Sequence, residues 1–99
     1  MKNYILEGKI PKVVEDVMEW GKWFENADRH VNKTELPNDI KVSTVFLGID
    51  HSFNGGTPIL FETMIFGGKH DQYQKRYTTY EEAEKGHQSA VDMILKATN

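Results

Sequence analysis

The side chains able to do acid–base or metal chemistry are four histidines and scattered carboxylates in a chain of 99 residues that has no cysteine. Lack of cysteine removes a thiol nucleophile, a disulfide scaffold and a zinc–thiolate site. No serine sits in a nucleophile elbow, and Gly55-Gly56 and Gly67-Gly68 lead into strand or loop rather than into a helix N-terminus. His30, Asp50-His51 and His70-Asp71 are the residues a metal would want. The two His/Asp pairs, however, flank a returning strand of about eight residues, roughly 25 Å long, too far apart for shared coordination. Neither a metal nor a cofactor is expected, and no catalytic set is assigned.

Two polar residues stand inside apolar segments. Glu62 interrupts Leu-Phe-Glu-Thr-Met-Ile. On a covered face its carboxylate is poorly solvated and its pKa rises, as in a general acid; on an open face it only solubilises the strand. His87 follows Gly86 in the middle of an apolar helix face. It is either a buried acid, base or ligand, or a neutral core histidine bonded to a carbonyl or to a carboxylate such as Glu62. A Glu62–His87 acid–base pair requires the two side chains within hydrogen-bond reach. A mid-helix glycine costs about 1 kcal/mol relative to alanine, so Gly86 marks a place where a strand or ligand comes close.

Candidate binding residues lie elsewhere. The segment His51-Ser52-Phe53-Asn54-Gly55-Gly56 puts an imidazole, a phenyl ring and backbone amides at a hairpin tip. Such a tip is a partner hot spot, an anion-binding concavity, or a plain connection with Phe53 folded onto the sheet. Trp23 falls at the polar edge of a helical stripe, beside Asp16 and Glu19, and either packs over the core rim or meets a partner. Tyr73 and Tyr77 could stack a base, with Lys75, Arg76 and His51 holding phosphate.

These residues need elements to position them. Val13, Val17, Trp20, Phe24 and Ala27 recur at spacings of three and four, predicting a helix over about 12–29 after a short strand at 3–10, with Pro11 closing that strand or opening the helix. His30–Leu36 reads as a modest strand, followed by the Pro37-Asn38-Asp39 turn. Residues about 40–50 and 59–67 are β-branched and apolar and form the central antiparallel hairpin. A two-residue Asn54-Gly55 turn sets Gly48 opposite Phe61 and Leu47 opposite Glu62; a loop one residue longer sets Gly48 opposite Glu62. Both alternating faces of the hairpin are apolar, which fits central strands or an oligomer interface on the face away from the helices. Tyr73–Tyr77 is a fourth short strand. Thr79 and Glu82 form a capping box for a last helix over about 79–97, with Tyr80, Ala83, His87, Ala90, Val91, Ile94 and Leu95 on one face. The expectation is one α+β domain: a three- to four-stranded antiparallel sheet around the hairpin, one helix before it and one after.

Composition narrows the class. Apolar residues make up 38% and charged residues 27%, with 11 aromatics, which is too aromatic and too evenly charged for a disordered chain. Net charge is −3, the wrong sign for a general nucleic-acid binder. The first residues carry no apolar signal core and no apolar run approaches the ~20 residues of a membrane span, so a cytoplasmic protein is expected.

The segments Val42-Ser-Thr-Val-Phe-Leu-Gly-Ile-Asp-His51, Leu60-Phe-Glu-Thr-Met-Ile-Phe-Gly-Gly68 and Tyr80-Glu-Glu-Ala-Glu-Lys-Gly-His87, with Phe53 and Gly55-Gly56 between the first two, resemble small uncharacterised proteins of bacteriophages and prophages. The resemblance covers roughly residues 16–95 and implies no catalytic residues. It implies a non-enzymatic accessory protein in the host cytoplasm that binds and inhibits a host protein, such as a CRISPR or other anti-phage defence effector. A small-ligand binder of the nucleotide-sponge kind, and a small enzyme using Glu62 and His87, are the other readings of the same residues.

Overall fold

The computed structural model describes residues 2–53 and 55–97. In chain order these form β1 (Asn3–Glu7), β2 (Ile10–Val14), α1 (Val17–Asn26), β3 (His30–Leu36), β4 (Ile40–Phe46), β5 (Phe61–Phe66), β6 (Gln74–Tyr77) and α2 (Tyr80–Ala97). β3 to β6 make one antiparallel sheet in sequential order, and β1 and β2 form a separate two-stranded hairpin. The fold is therefore the expected α+β arrangement, with a helix on each side of the central hairpin in the chain.

The first helix is shorter than its periodicity predicts. Lys12 to Val14 belong to β2 and pair with Ile5 to Asn3, and Pro11 lies within that strand opposite Leu6. Asp16 causes the break: its backbone is extended, and its Oδ1 accepts from Met18 N at 2.9 Å and Glu19 N at 3.4 Å. A carboxylate N-cap starts the helix at that point, and the β-branched pair Val13-Val14 suits a strand better than a helix. Val13 and Val17 are consequently exposed, while Trp20, Trp23 and Phe24 turn inward and are half-buried.

The central hairpin adopts neither expected register. Phe46 pairs with Phe61 and Val45 with Glu62. Past Leu47, whose N–H donates to Leu60 O at 2.7 Å, the chain leaves its partner strand. It joins β1 instead: Tyr4 N donates to Gly48 O at 2.7 Å, and Asn3 bridges Ile49. Trp20 Nε1 donates to both Tyr4 O (3.0 Å) and Gly48 O (3.1 Å), tying α1, β1 and the end of β4 together. Competition from β1 thus replaces a tight turn with a long connection between Leu47 and Leu60. At the other end of the sheet, Asn38 and Asp39 take left-handed backbone angles in the β3–β4 turn, and Gly67 (φ 89°) passes so close that a Cβ there would lie 2.6 Å from Asp39 O. Only glycine fits both the space and the angle.

α2 starts as expected. Glu82 N donates to Thr79 Oγ1 and Thr79 N donates to Glu82 Oε1, both at 3.1 Å, a reciprocal capping box. The helix lays Ala83, His87, Ala90, Val91 and Ile94 on one face of the sheet, whereas Leu95 is largely exposed at its margin. The core beneath it has two apolar parts. One is aromatic, with Tyr4, Phe46, Phe61 and Tyr77 joined by Leu60 and Ala83. The other is aliphatic, with Ile40, Val42, Ile65, Ala90, Val91 and Ile94. Residues on the opposite face of the sheet follow from the two-residue alternation. They are mixed rather than apolar, with Lys33, Glu35, Lys41, Ser43, Glu62 and Arg76 interspersed with Val45, Met64 and Phe66.

Candidate functional site

The structure keeps Glu62 and His87 apart. Thr63 faces α2, so its neighbour Glu62 points to the other side of the sheet. There Glu62 Oε2 accepts from Arg76 Nε at 2.9 Å and from Gln74 Nε2. Strand pairing explains the arrangement, because Arg76 lies directly opposite Glu62 and Gln74 is its diagonal neighbour. His87 is 1% exposed, between the aromatic and aliphatic parts of the core. Its Nδ1 is hydrogen-bonded to Thr44 Oγ1 at 2.7 Å and its Nε2 to Thr34 Oγ1 at 2.8 Å. Thr44 Oγ1 also meets Thr63 Oγ1 at 2.5 Å.

This chain of hydroxyls satisfies a neutral imidazole at both nitrogens, one as donor and one as acceptor. Burial pushes the pKa of His87 below the usual histidine value, keeping it neutral. It is a core histidine whose partners are threonines, not the carbonyl or carboxylate that the sequence offers. The threonines had a signal, since Thr34, Thr44 and Thr63 fall at inward positions of three neighbouring strands. Their β-branched shape makes them read only as strand formers.

Gly86 has a packing reason as well. A Cβ on it would lie 2.0 Å from Tyr77 Oη and 2.1 Å from Tyr77 Cζ. Tyr77 is thus pressed against the α2 backbone and only 8% exposed. Burial holds its phenol above the ordinary tyrosine pKa, with the Thr63 hydroxyl acting the other way. A ring so placed cannot stack a base. Tyr73 is half-buried against the aliphatic part of the core, and Arg76 is engaged with Glu62. Trp23 packs edge-on against Phe46, with ring centroids 5.7 Å apart, which is the rim position and not an outward one. The structure therefore does not assemble Tyr73, Tyr77, Arg76 and His51 into a nucleotide site.

Among the described candidate binding residues, the most exposed one lies in the β4–β5 connection. Phe53 is 86% exposed. Asn54 lies outside the described residues. Asp50 organises the segment: Oδ1 accepts from Ser52 N (2.8 Å) and Ile59 N (3.0 Å), and Oδ2 accepts from Ser52 Oγ (2.9 Å). These N–H donors, Ser52 first and then Ile59, hold the Asp50 carboxyl below its usual range. His51 N donates to Ile59 O at 3.0 Å, and the residue is half-buried. The aspartate of the Asp50-His51 pair is thus a loop staple. The other, Asp71, accepts from Gly67 N at 2.7 Å. Among the described residues, no three His, Asp or Glu side chains come together as a metal-binding group, and no helix is long and apolar enough to cross a membrane.

Compared with protein-family models, with curated proteins and with solved structures, the chain finds no match in any of the three.

Proposed function

We propose that the protein is a non-enzymatic binding protein that engages a partner protein through the β4–β5 connection, with Phe53 as its anchor. The observation that carries this reading is a phenyl ring 86% exposed beside a segment stapled by Asp50. A large aromatic side chain held in water has no folding benefit, and a braced loop loses little entropy when a partner closes over it. The placement of the titratable residues favours binding over catalysis: His87 has both ring nitrogens engaged in the core, and Glu62 faces away from it. The resemblance of the hairpin segments to phage and prophage proteins directs the partner toward a host protein, with anti-phage defence effectors as the class to try first.

The test uses the full chain and a Phe53→Ser variant, each immobilised and exposed to bacterial lysate. The expected result is a stoichiometric partner on the wild type that is lost from the variant, with the two proteins melting at the same temperature. Retention of the same partner by both, or no partner on either, would overturn the proposal.

A further inference from the structure

We infer that the groove between the outer edge of β6 and α2 docks an acidic peptide segment, added in extended form beside β6. The groove is open to solvent, about 370 Å³ in volume, and is lined from the strand side by Lys75, Arg76, Tyr77 and Thr78 and from the helix side by Glu82, Lys85 and Ser89. β6 is the last strand of its sheet and has a neighbour on one side only. Ile65 N donates to Tyr73 O at 3.0 Å and Leu60 N to Tyr77 O at 3.1 Å, so odd-numbered peptide groups face β5. By the antiparallel alternation, the N–H and C=O groups of Gln74 and Arg76 point outward. An edge beside a helix is the geometry in which an extended peptide adds as a further strand and drops alternate side chains into the groove.

Charge identifies the occupant. Lys75 is opposite Thr63, on the α2 side of the sheet, with its Nζ 5.9 Å from the Tyr77 ring. Lys85 rises from α2 on the same stripe as Glu82 and Ser89, three and four residues away. Neither ammonium has a carboxylate within ion-pair distance among the described residues, although the chain carries a net charge of −3. Glu82, the one acid lining the groove, is turned onto the N–H and hydroxyl groups of Thr78 and Thr79. Those bonds, Thr78 first, hold its carboxyl below the usual range. Two lysines over a free strand edge fit glutamate or aspartate side chains. They disfavour a second copy of β6, which would bring Lys75 and Arg76 against their own kind. This surface is separate from Phe53, and its occupancy does not depend on that reading.

The experiment measures binding of a labelled hexapeptide, alternating glutamate with valine, to the full-length protein by fluorescence anisotropy at low salt. Binding is expected, with exchange protection appearing at the Gln74 and Arg76 amides. The exposed double variant Lys75→Glu/Lys85→Glu should weaken it at least roughly tenfold, and so should N-methylation of alternate peptide residues, which removes strand donors. The Phe53→Ser variant should bind as the wild type does. No binding at about 1 mM peptide, binding that survives the lysine reversals or the N-methylation, or equal competition by inorganic phosphate or a single-stranded oligonucleotide would each overturn the inference.

Discussion

His87 and Asp50 both titrate below their ordinary values, for opposite physical reasons. His87 is buried, so desolvation disfavours its charged form and holds it neutral. Asp50 borders the surface connection, and hydrogen bonds from Ser52 and Ile59 favour its charged form. The neutral ring joins β3 and β4 to α2 from within, and Thr44 carries the connection on to β5. The anion fixes the two ends of a loop that carries an exposed phenylalanine. The difference separates the molecule into a region where polarity serves the fold and one where it shapes a surface.

The strongest way to break the comparison is His87→Ala. It removes a fully buried ring and leaves the Thr34 hydroxyl without that partner, so it should destabilise the protein by about 3 kcal/mol, measured by urea denaturation. Adding Thr34→Val to His87→Leu should recover part of what His87→Leu alone loses, because it removes the hydroxyl left without its imidazole partner, whereas Thr44 keeps Thr63. A loss under about 0.5 kcal/mol for His87→Ala would mean that the threonine seam closes without it.

Acid titration sharpens the comparison with a smaller effect. A histidine whose pKa is lowered on folding binds protons more readily when unfolded, so stability rises with pH across the shifted interval. Its contribution is complete above about pH 6.5 and declines as pH falls toward the folded value. Asp50 follows the same sign in a lower window: its staple is intact above about pH 4 and is lost as pH falls through its depressed pKa. Denaturation midpoints should therefore fall first below pH 6.5, while the exchange rates of the Ser52 and Ile59 amides, corrected for intrinsic chemistry, rise only in the lower window. One common transition for both readouts would erase the distinction between the regions.

Much of this division was legible in the chain, and some was not. The Thr79–Glu82 capping box, the β-branched run from Ile40 and the inward face of α2 are local patterns, and local physics realised them. The hairpin register was not local. It was decided by Tyr4 and Trp20 pulling Gly48 away from the returning strand, a contact between residues 28 or more apart along the chain for Trp20. The end of the stripe at Val13 is legible in Asp16, whose N-cap preference competes with the helical spacing. Thr34 and Thr44 as partners of His87 needed β3 and β4 in register beneath α2 before either meant more than strand propensity.

The smallest expected effect is the most discriminating for the loop. In Asp50→Asn the side-chain oxygen can still accept from both Ser52 N and Ile59 N, and the new amide can donate to Ser52 Oγ in place of the bond it gave to Oδ2. If acceptor geometry holds the loop, Asn should keep exchange protection at the Ser52 and Ile59 amides and abolish only its acid-dependent loss. Asp50→Ala, which removes the acceptor, should lose the protection at every pH. If Asn instead behaves like Ala, the negative charge itself organises the connection, since charge-assisted bonds are stronger than neutral ones. Partner capture through Phe53 should then weaken in both variants, and the staple would join the anchor as part of the binding surface.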